Sequence, residues 1–542
     1  MTVYGVDLGT TYTKCAVVRE GNQLAEIVPL DELEGRPTNL LRSAVTVTTH
    51  GGRRVAHVGV RSSTVFSAWD PSDTAAAECR RFEESKLWIG EDPATTPGDA
   101  PPWRFDPHDW GYRPEDIGAL VLRRVRGAVA ERRFPPMDRI VVTHPQNFSE
   151  ARREATRQAV RLAGLEVLDT ITEPDAAALT FGIGNSPGLY MVFDIGGGTL
   201  DIVLLRVKAE SAGGGTEIVT SDGKHVGGRR WDDAVYTYLV EQYRGELPDF
   251  DPDYLDARTR QLWLAKAEQV KWRLCSGERE AWVALRAKTT DDFQAPGETE
   301  LRLSRAQFDE LTEPLVDDCM STTEDVLRNA GLEWGVLEGV IMVGGSARIP
   351  ALQARLAERA RSVTVDPDPD TVVVRGAALH ARALAAREQG ESLGGTRLLS
   401  VVNHHGALAR GLGILAWDAK SKAKIVVNMV PKDSRLPYER TRRFTTSRAG
   451  QATLELELWE GEDEDPELCV PVGTCVLSGL EPGPAGTPIQ VKIELRGNGE
   501  KVIKLVTPAG EREAPIVFDQ RRVLTAGALA ARRAFIESVE VR

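Results

Sequence analysis

Nowhere in the 542 residues do about 18 to 20 apolar side chains follow one another, the length that a membrane-spanning helix needs. Met1-Thr2-Val3 leads straight into an apolar strand without the basic stretch and apolar core of a secretory leader, so a cytoplasmic protein with no membrane association is expected. Cysteine is scarce. Cys15, Cys79, Cys275 and Cys319 are scattered, and only Cys469 and Cys475 bracket a segment short enough to be bridged. Without a leader, reduced and unpaired thiols are expected. The 8 histidines form no metal-ligand spacing. A basic excess is missing too: 67 Lys and Arg stand against 80 Asp and Glu, a formal charge of −13, which argues against nucleic acid as the main partner. The remainder is an ordinary globular composition, 42% hydrophobic and 27% charged, in a chain long enough for about two to four domains.

Two segments roughly 190 residues apart share one pattern: an apolar strand ending in aspartate, a glycine turn and a hydroxyl residue. They read Tyr4-Gly5-Val6-Asp7-Leu8-Gly9-Thr10-Thr11 and Met191-Val192-Phe193-Asp194-Ile195-Gly196-Gly197-Gly198-Thr199. Glycines let backbone N–H groups approach phosphate oxygens, threonine hydroxyls add donors, and the aspartates can hold a magnesium ion and its waters. Each turn runs into a second strand, Thr13 to Val18 and Leu200 to Val207, whereas a Walker loop or a dinucleotide fingerprint opens a helix at its glycines. Either hairpin alone can be only a turn. As a pair they look like two halves of a nucleotide-phosphate clamp.

The pair resembles the superfamily of actin, hexokinase and the heat-shock ATPases. Further stretches, in order, resemble the seventy-kilodalton heat-shock chaperones, the DnaK-like family: Lys86-Leu87-Trp88-Ile89-Gly90, Val142-Thr143-His144-Pro145 through Arg153-Glu154-Ala155-Thr156, Ala163-Gly164-Leu165, Thr172-Glu173-Pro174-Asp175-Ala176-Ala177-Ala178, Val343-Gly344-Gly345-Ser346-Ala347-Arg348-Ile349-Pro350, and Asp368-Pro369-Asp370 before Arg375-Gly376-Ala377-Ala378. The implied fold is an α/β actin-like (duplicated ribonuclease-H-like) ATPase domain followed by an all-β sandwich.

Alternating apolar strands and helical patterns support an α/β domain over residues 1–387. Helices are expected from the N-cap Ser149 to Ala163, from Arg258 to Leu274, from Pro350 to Leu356 and from Gly376 to Arg387, with a surface loop from Asp92 to Trp110. Residues 388–403 read as a linker. In 404–522, Leu454, Leu456 and Leu458 alternate with glutamates, Ile489, Val491, Ile493 and Leu495 alternate with polar residues, and Gly497-Asn498-Gly499 supplies a turn, all as in a β-sandwich. The acidic run Glu460-Gly461-Glu462-Asp463-Glu464-Asp465 reads as a solvated loop. Residues 523–542 allow one short helix, Leu524 to Phe535, and not the long helical lid of full-length relatives.

The resemblance places Gly9, Thr10, Thr11 and Tyr12 in one phosphate turn and Gly196, Gly197, Gly198 and Thr199 in the other. It implies hydrated magnesium at Asp7 and Asp194, and catalysis by Lys86, Glu173, Asp194 and Thr199. Gly227, Gly228, Glu268, Lys271, Gly344, Gly345, Ser346, Arg348 and Asp370 would bind the rest of ATP or ADP. Pro145 and Arg153 would relay nucleotide state to the sandwich. Three departures stand out. Trp272 and Cys275 replace an arginine and a serine beside adenine; indole can stack on a purine, with Arg273 offering a cationic face, or Trp272 is simply core. Arg229-Arg230 stands where relatives carry acids, which puts interdomain contacts, rather than the phosphate clamp, in doubt. The connector Leu398 to Asn403 lacks the usual acidic-leucine pattern.

The implied activity is an ATP-dependent chaperone hydrolysing ATP to ADP with Mg2+. Implied partners are unfolded or extended polypeptide segments, a J-domain co-chaperone and a nucleotide-exchange factor, and the chain itself is expected to be a monomer. A nucleotide-gated scaffold with one dedicated partner and weak or no ATPase activity is the alternative, favoured by the altered linker and Arg229-Arg230. A sugar or small-molecule kinase shares the hairpins but needs a carboxylate placed to deprotonate a substrate hydroxyl.

Overall fold

The computed structural model describes residues 2–19, 22, 24–33, 35–50, 53–68, 79–91, 111–181, 187–209, 216–291, 293, 295–390, 410–418, 420–432, 434, 437–496, 501–507, 510–514, 516–519 and 522–542. The loop 92–110, most of the 388–403 linker with its apolar end, His404-His405 and the Gly497-Asn498-Gly499 turn lie outside them. Among the described residues no helix is long and apolar enough to cross a membrane.

One five-stranded plan occurs twice. Strands β1 (Val3–Asp7), β2 (Tyr12–Val17) and β3 (Glu26–Val28) form an antiparallel meander, and β4 (Arg139–His144) and β5 (Glu166–Thr172) continue it in parallel on the other side of β1. Strands β6 (Gly188–Ile195), β7 (Leu200–Val207), β8 (Thr216–Lys224), β9 (Gly339–Val343) and β10 (Val363–Val365) repeat the same order and directions. In both copies the first strand is central and covered on both faces, so it reads as a continuous apolar run: all of β1 is buried, as is β6 from Met191 onward. The aspartates that end these runs, Asp7 and Asp194, therefore occupy equivalent places.

Parallel neighbours need crossovers, supplied in the first copy by α1 (Pro114–Glu131) and α2 (Glu150–Leu162). Helix α2 starts as its sequence suggests: Ser149 Oγ accepts the Arg152 N–H, and Gly164, at φ +78°, follows the end. Between the two sheets cross α3 (Glu173–Thr180) and, from the end of the second copy, α6 (Val372–Glu388). They touch backbone to backbone: a Cβ on Gly376 would lie 1.7 Å from the Ala176 carbonyl oxygen, so only glycine fits. Val141, Ala177, Val192, Val343, Ala377 and Ala381 form one apolar core around this crossing. Helix α6 begins four residues before the expected Gly376. Val372-Val373-Val374 favours strand by propensity, but all three are buried on the helix, and burial outweighs the few tenths of a kcal/mol that propensity is worth.

The C-terminal region is a two-sheet sandwich. Strands Leu412–Asp418, Ala423–Val430, Thr453–Glu460, Val470–Ser478 and Ile516–Phe518 form one sheet, and Tyr438–Thr445, Pro488–Leu495, Lys501–Thr507 and Gly510–Ala514 the other. The leucines and isoleucines that alternate in the sequence fill its core. All six cysteines are free, Cys469 and Cys475 included. The acidic run departs from expectation at one end: Glu460 is buried at 3% exposure, whereas Glu462 to Asp465 stay exposed.

Beyond the sandwich the chain returns to the first lobe. Arg522 Nη1 reaches Glu91 Oε2 (3.1 Å), Leu524 exchanges two hydrogen bonds with the Gln158 side chain, and helix α7 (Ala526–Ser538) settles against α1 and α2. Arg532 Nε bonds both oxygens of the buried Asp116 (2.9 and 2.8 Å). Glu540–Val541 then pairs in parallel with Val55 and Ala56, joining the strands Arg53–Val58, Val45–His50 and Cys79–Phe82 as a fourth strand. Ile536 and Val539 are fully buried in the core of the first lobe. The helix itself was legible but its docking was not, since most of its residues are exposed. Ile536→Ala should cost about 2–5 kcal/mol and lower the calorimetric transition of the first lobe, leaving that of the sandwich in place.

Candidate functional site

The two glycine turns face each other across the cleft between the lobes. A Cβ on Gly197 would lie 2.0 Å from Thr11 Oγ1, so the second turn can approach the first only because it carries no side chain there. Their carbonyl oxygens are drawn away by neighbouring donors: Ser43 Oγ to Gly9 O (2.8 Å), Ser43 N to Thr11 O (2.8 Å), Gly228 N to Gly196 O (2.9 Å), Arg229 N to Gly197 O (2.8 Å) and Ser346 Oγ to Gly196 O (2.9 Å). Fixing the acceptors this way removes the groups that would repel an anion from the cleft.

Buried charge converges at the floor. Asp7 accepts from Thr143 Oγ1 (2.9 Å) and Lys14 Nζ (2.9 Å); burial opposes its ionisation, but Lys14 and Lys86 outweigh it and hold its pKa down. Lys86 pairs directly with Glu173, which caps the cleft from the first residue of α3. Burial, then Glu173 and Asp201, pushes Asp194 well above the usual carboxylate range, and burial with Glu173 lifts Asp201 to about 7. Two lysines thus face four crowded carboxylates, a deficit that a divalent cation would relieve. Among the described residues no three acidic, histidine or cysteine side chains form a metal cage, so a magnesium ion would take phosphate and water oxygens for the rest of its shell.

The other wall comes from helices α4 (Gly228–Glu246) and α5 (Ala257–Cys275) and from the turn after β9. Glu268, Lys271, Trp272 and Cys275 follow at helical spacing and line one side of the cleft; Gly344, Gly345, Ser346, Arg348 and Asp370 line the other. Lys271 Nζ bonds Asp232 Oδ1 (2.7 Å) and Gly228 O (3.1 Å), and Arg348 Nη2 lies 3.0 Å from Asp370 Oδ2. Burial pushes the Cys275 thiol up to about 11, so it stays protonated. Trp272 is 45% exposed at the cleft, not a core residue. Arg273 offers it no cationic face: its guanidinium turns to Glu278 (2.7 Å) and the Trp282 carbonyl (3.0 Å). The cleft is open at its mouth and is lined from both lobes by the two turns, α5 and the turn after β9.

Nearly every residue expected at the site lines this cleft; the exceptions are Gly198, whose missing side chain lets the second turn close on Thr10 and Leu87, Gly227, packed against the backbone of Gly197 and Gly198, and Pro145 and Arg153, which lie elsewhere. The lobes do meet at Arg229, whose Nε lies 3.2 Å from Glu84 Oε1, so an acidic partner on the first lobe answers the reversed charge. Arg42 Nη1 also reaches across, to Glu268 Oε2 (2.6 Å), with the Tyr12 hydroxyl 3.2 Å from Glu268 Oε1. Lys14, Arg42, Asp201 and Asp232 were missed in the sequence. For Lys14 and Asp201 a signal existed: each is a charge flanking a run of apolar residues in a strand, Cys15 to Val17 and Ile202 to Leu205.

Pro145 and Arg153 flank the start of α2, where the sandwich docks. The Glu150 N–H donates to both carboxylate oxygens of Glu460 (3.3 and 3.2 Å), and Lys501 pairs with the Glu150 side chain, only 4% of the lysine side chain remaining exposed. Glu460 thus sits at a helix N-terminus, which favours its charge, but burial outweighs this and the pull of Lys501 and raises its pKa. His144 Nδ1 donates to Pro145 O (2.8 Å), and burial, reinforced by Arg153, lowers its pKa to about 3.

Two hairpins of one design closing over a shared cleft, joined to a β-sandwich, define a two-lobed nucleotide-binding protein with an appended β domain. A family model described as Hsp70 protein matches residues 100–530, and the chain belongs to the Hsp70 family. It is 33% identical over 509 residues to the chaperone protein HscA homolog of Methylibium petroleiphilum, covering 91% of this chain and 74% of that protein. It is 30% identical over 530 residues to the chaperone protein DnaK of Thermus thermophilus, covering 96% and 81%, and 31% identical over 540 residues to the HscA homolog of Pseudomonas paraeruginosa, covering 97% and 79%.

Two expectations follow for the docking site. Lys501→Met removes the sandwich's cation from Glu150 and leaves it only Arg157 of its own helix (3.3 Å), which should cost about 1–3 kcal/mol, read as loss of protection at the sandwich contact in hydrogen exchange. His144 takes up a proton on unfolding below its ordinary value of 6.5 but in the fold only near 3, so its contribution is complete above 6.5 and is lost as pH falls toward 3. The melting temperature of His144→Asn should accordingly fall less steeply than that of the natural chain on acidification through this window.

Proposed function

We propose that this chain is an ATP-dependent chaperone that uses hydrolysis in the cleft to control how the β-sandwich holds exposed, extended polypeptide. Its membership makes it an Hsp70-class chaperone, and the observation that carries the mechanism is the pairing of the two glycine turns around the Lys86–Glu173 pair. Bound ATP supplies the phosphoryl group, and its magnesium withdraws charge from the phosphates. Gly9, Thr10, Thr11 and Tyr12 on one side and Gly196, Gly197, Gly198 and Thr199 on the other bind and orient the phosphates. Lys86 neutralises charge at the terminal phosphate, while Glu173 and Asp194 position the attacking water. Trp272 lies where a purine can stack, beside Glu268, Lys271 and Cys275.

Helix α2 is the element suited to relay nucleotide state. Its first residue, Glu150, binds Glu460 and Lys501 of the sandwich, while Arg152 Nη2, one residue beyond Ala151, donates to the carbonyls of Lys86 and Leu87 (both 3.1 Å). A shift of Lys86 on hydrolysis therefore reaches the docking contact within a single helical turn. Clients would be extended segments bound through backbone hydrogen bonds, and a J-domain co-chaperone and an exchange factor would set the rates.

Single-turnover ATP hydrolysis, with and without an unfolded apolar peptide, tests this reading. Turnover should rise with peptide, and Lys86→Ala and Asp194→Asn should each lower it by at least about 100-fold. Tight ATP binding without turnover under either condition would make the cleft a nucleotide-gated switch for a dedicated partner instead.

A further inference from the structure

Lys14 is the one cation at the cleft floor that the scheme above leaves without a role. It stands in the middle of β2, whose next three residues, Cys15, Ala16 and Val17, are fully buried. A lysine placed there is held for a reason, because burying an ammonium is expensive unless it is compensated. Its Nζ lies 2.9 Å from Asp7 Oδ2, and a Cβ on Gly9 would be 3.6 Å from it, so the ammonium sits directly beneath the first phosphate turn. The carboxylates that act on it come from both lobes: Asp7 first, then Asp370, with Glu173 also contributing. It lines the open cleft, not the core behind it.

A purely structural ion pair would account for the contact with Asp7 but not for the location. Both oxygens of Asp7 are engaged, one by Lys14 and one by Thr143, so in this arrangement the charge that a hydrated metal would otherwise meet at Asp7 is already balanced by a side chain. An ammonium carries three donors, of which Asp7 takes one, leaving two for phosphate oxygens.

We propose that Lys14 is a phosphate-binding residue whose ammonium joins Asp7 to the nucleotide phosphates and takes over part of the charge neutralisation otherwise left to magnesium, so that this chain holds nucleotide with a weak dependence on the metal. The proposal rests on the reading of the cleft as an ATP site. It assigns the two lysines separate duties: Lys86, paired with Glu173, serves the terminal phosphate, and Lys14, paired with Asp7, serves the phosphates at the first turn.

The test is equilibrium titration of the full chain with a fluorescent ATP analogue, in excess magnesium and in EDTA, for the natural protein, Lys14→Met, Lys14→Arg and Lys86→Met. The natural protein should lose less than about tenfold in affinity on removing magnesium, Lys14→Met should lose at least about a further tenfold in EDTA and recover most of it in magnesium, and Lys14→Arg should behave like the natural protein. Lys86→Met should weaken binding without raising the dependence on metal. Because Lys14→Met strands a buried Asp7, the same ratio is measured for Asp7→Asn and for Asp7→Asn/Lys14→Met, where no unpaired carboxylate remains. If Lys14→Met lowers the melting temperature of the nucleotide-free protein yet keeps the natural ratio of affinities, Lys14 is only the structural partner of Asp7 and the proposal is overturned. If the natural protein binds no nucleotide in either buffer, the reading of the cleft itself fails, an outcome distinct from the last.

Discussion

Three buried carboxylates, Asp7, Glu173 and Asp194, line one cleft with Asp201 buried close behind them, supplied from two lobes and with Lys14 and Lys86 as their counter-charges. Acids so crowded and so dry repel one another, which is why burial and mutual charge raise Glu173, Asp194 and Asp201, while Asp7, bonded to Lys14 and within the field of Lys86, is held down. The lobes are held against this repulsion by the apolar crossing of α3 on α6 and by Arg42 and Arg229, which bring cations from one lobe to acids on the other. A fold that keeps this balance negative has reserved a place for positive charge. The site, the closure of the lobes and the path to the sandwich all depend on where that charge is delivered.

Much of this was legible in the sequence, and for identifiable reasons. The hairpins could be read because a glycine turn between two apolar strands is local: its meaning lies within about ten residues. The same holds for the N-cap at Ser149 and for the alternating sandwich strands. Glu460 was read as part of a solvated acidic loop because its neighbours in sequence are exposed; its burial comes from Glu150 and Lys501, the first of them 310 residues away. The partner of Arg229 was equally invisible, since Glu84 lies on the opposite lobe. Trp272 left two readings open, and the choice between them depended on which face of α5 meets the cleft. Residue types and turns were therefore readable, whereas pairings between distant charges were not.

The contact between the lobes and the sandwich is chemically sparse and electrostatically strong. Its centre is a helix N-terminus, one carboxylate that accepts from it, one that belongs to it and one lysine, with Arg153 and Arg157 close enough to act on Glu150. Such contacts are specific in geometry, and they are also easily released, because hydration of the separated ions replaces much of what is lost. A chaperone cycle requires an interface of that kind, well defined when closed and inexpensive to open.

The strand Glu540–Val541 gives the molecule a second attachment between its parts. The sandwich follows the first lobes through the segment before Gly411 and returns to them through Arg522 and α7, so it is suspended between two points on the same body. The Glu150–Glu460–Lys501 contact is thus a third tie on a domain already joined to that body by chain on either side, which keeps its local concentration at the docking surface high. Cutting the chain once between residues 391 and 409 would leave two polypeptides that still travel as one particle, because the C-terminal piece carries part of the core of the N-terminal one.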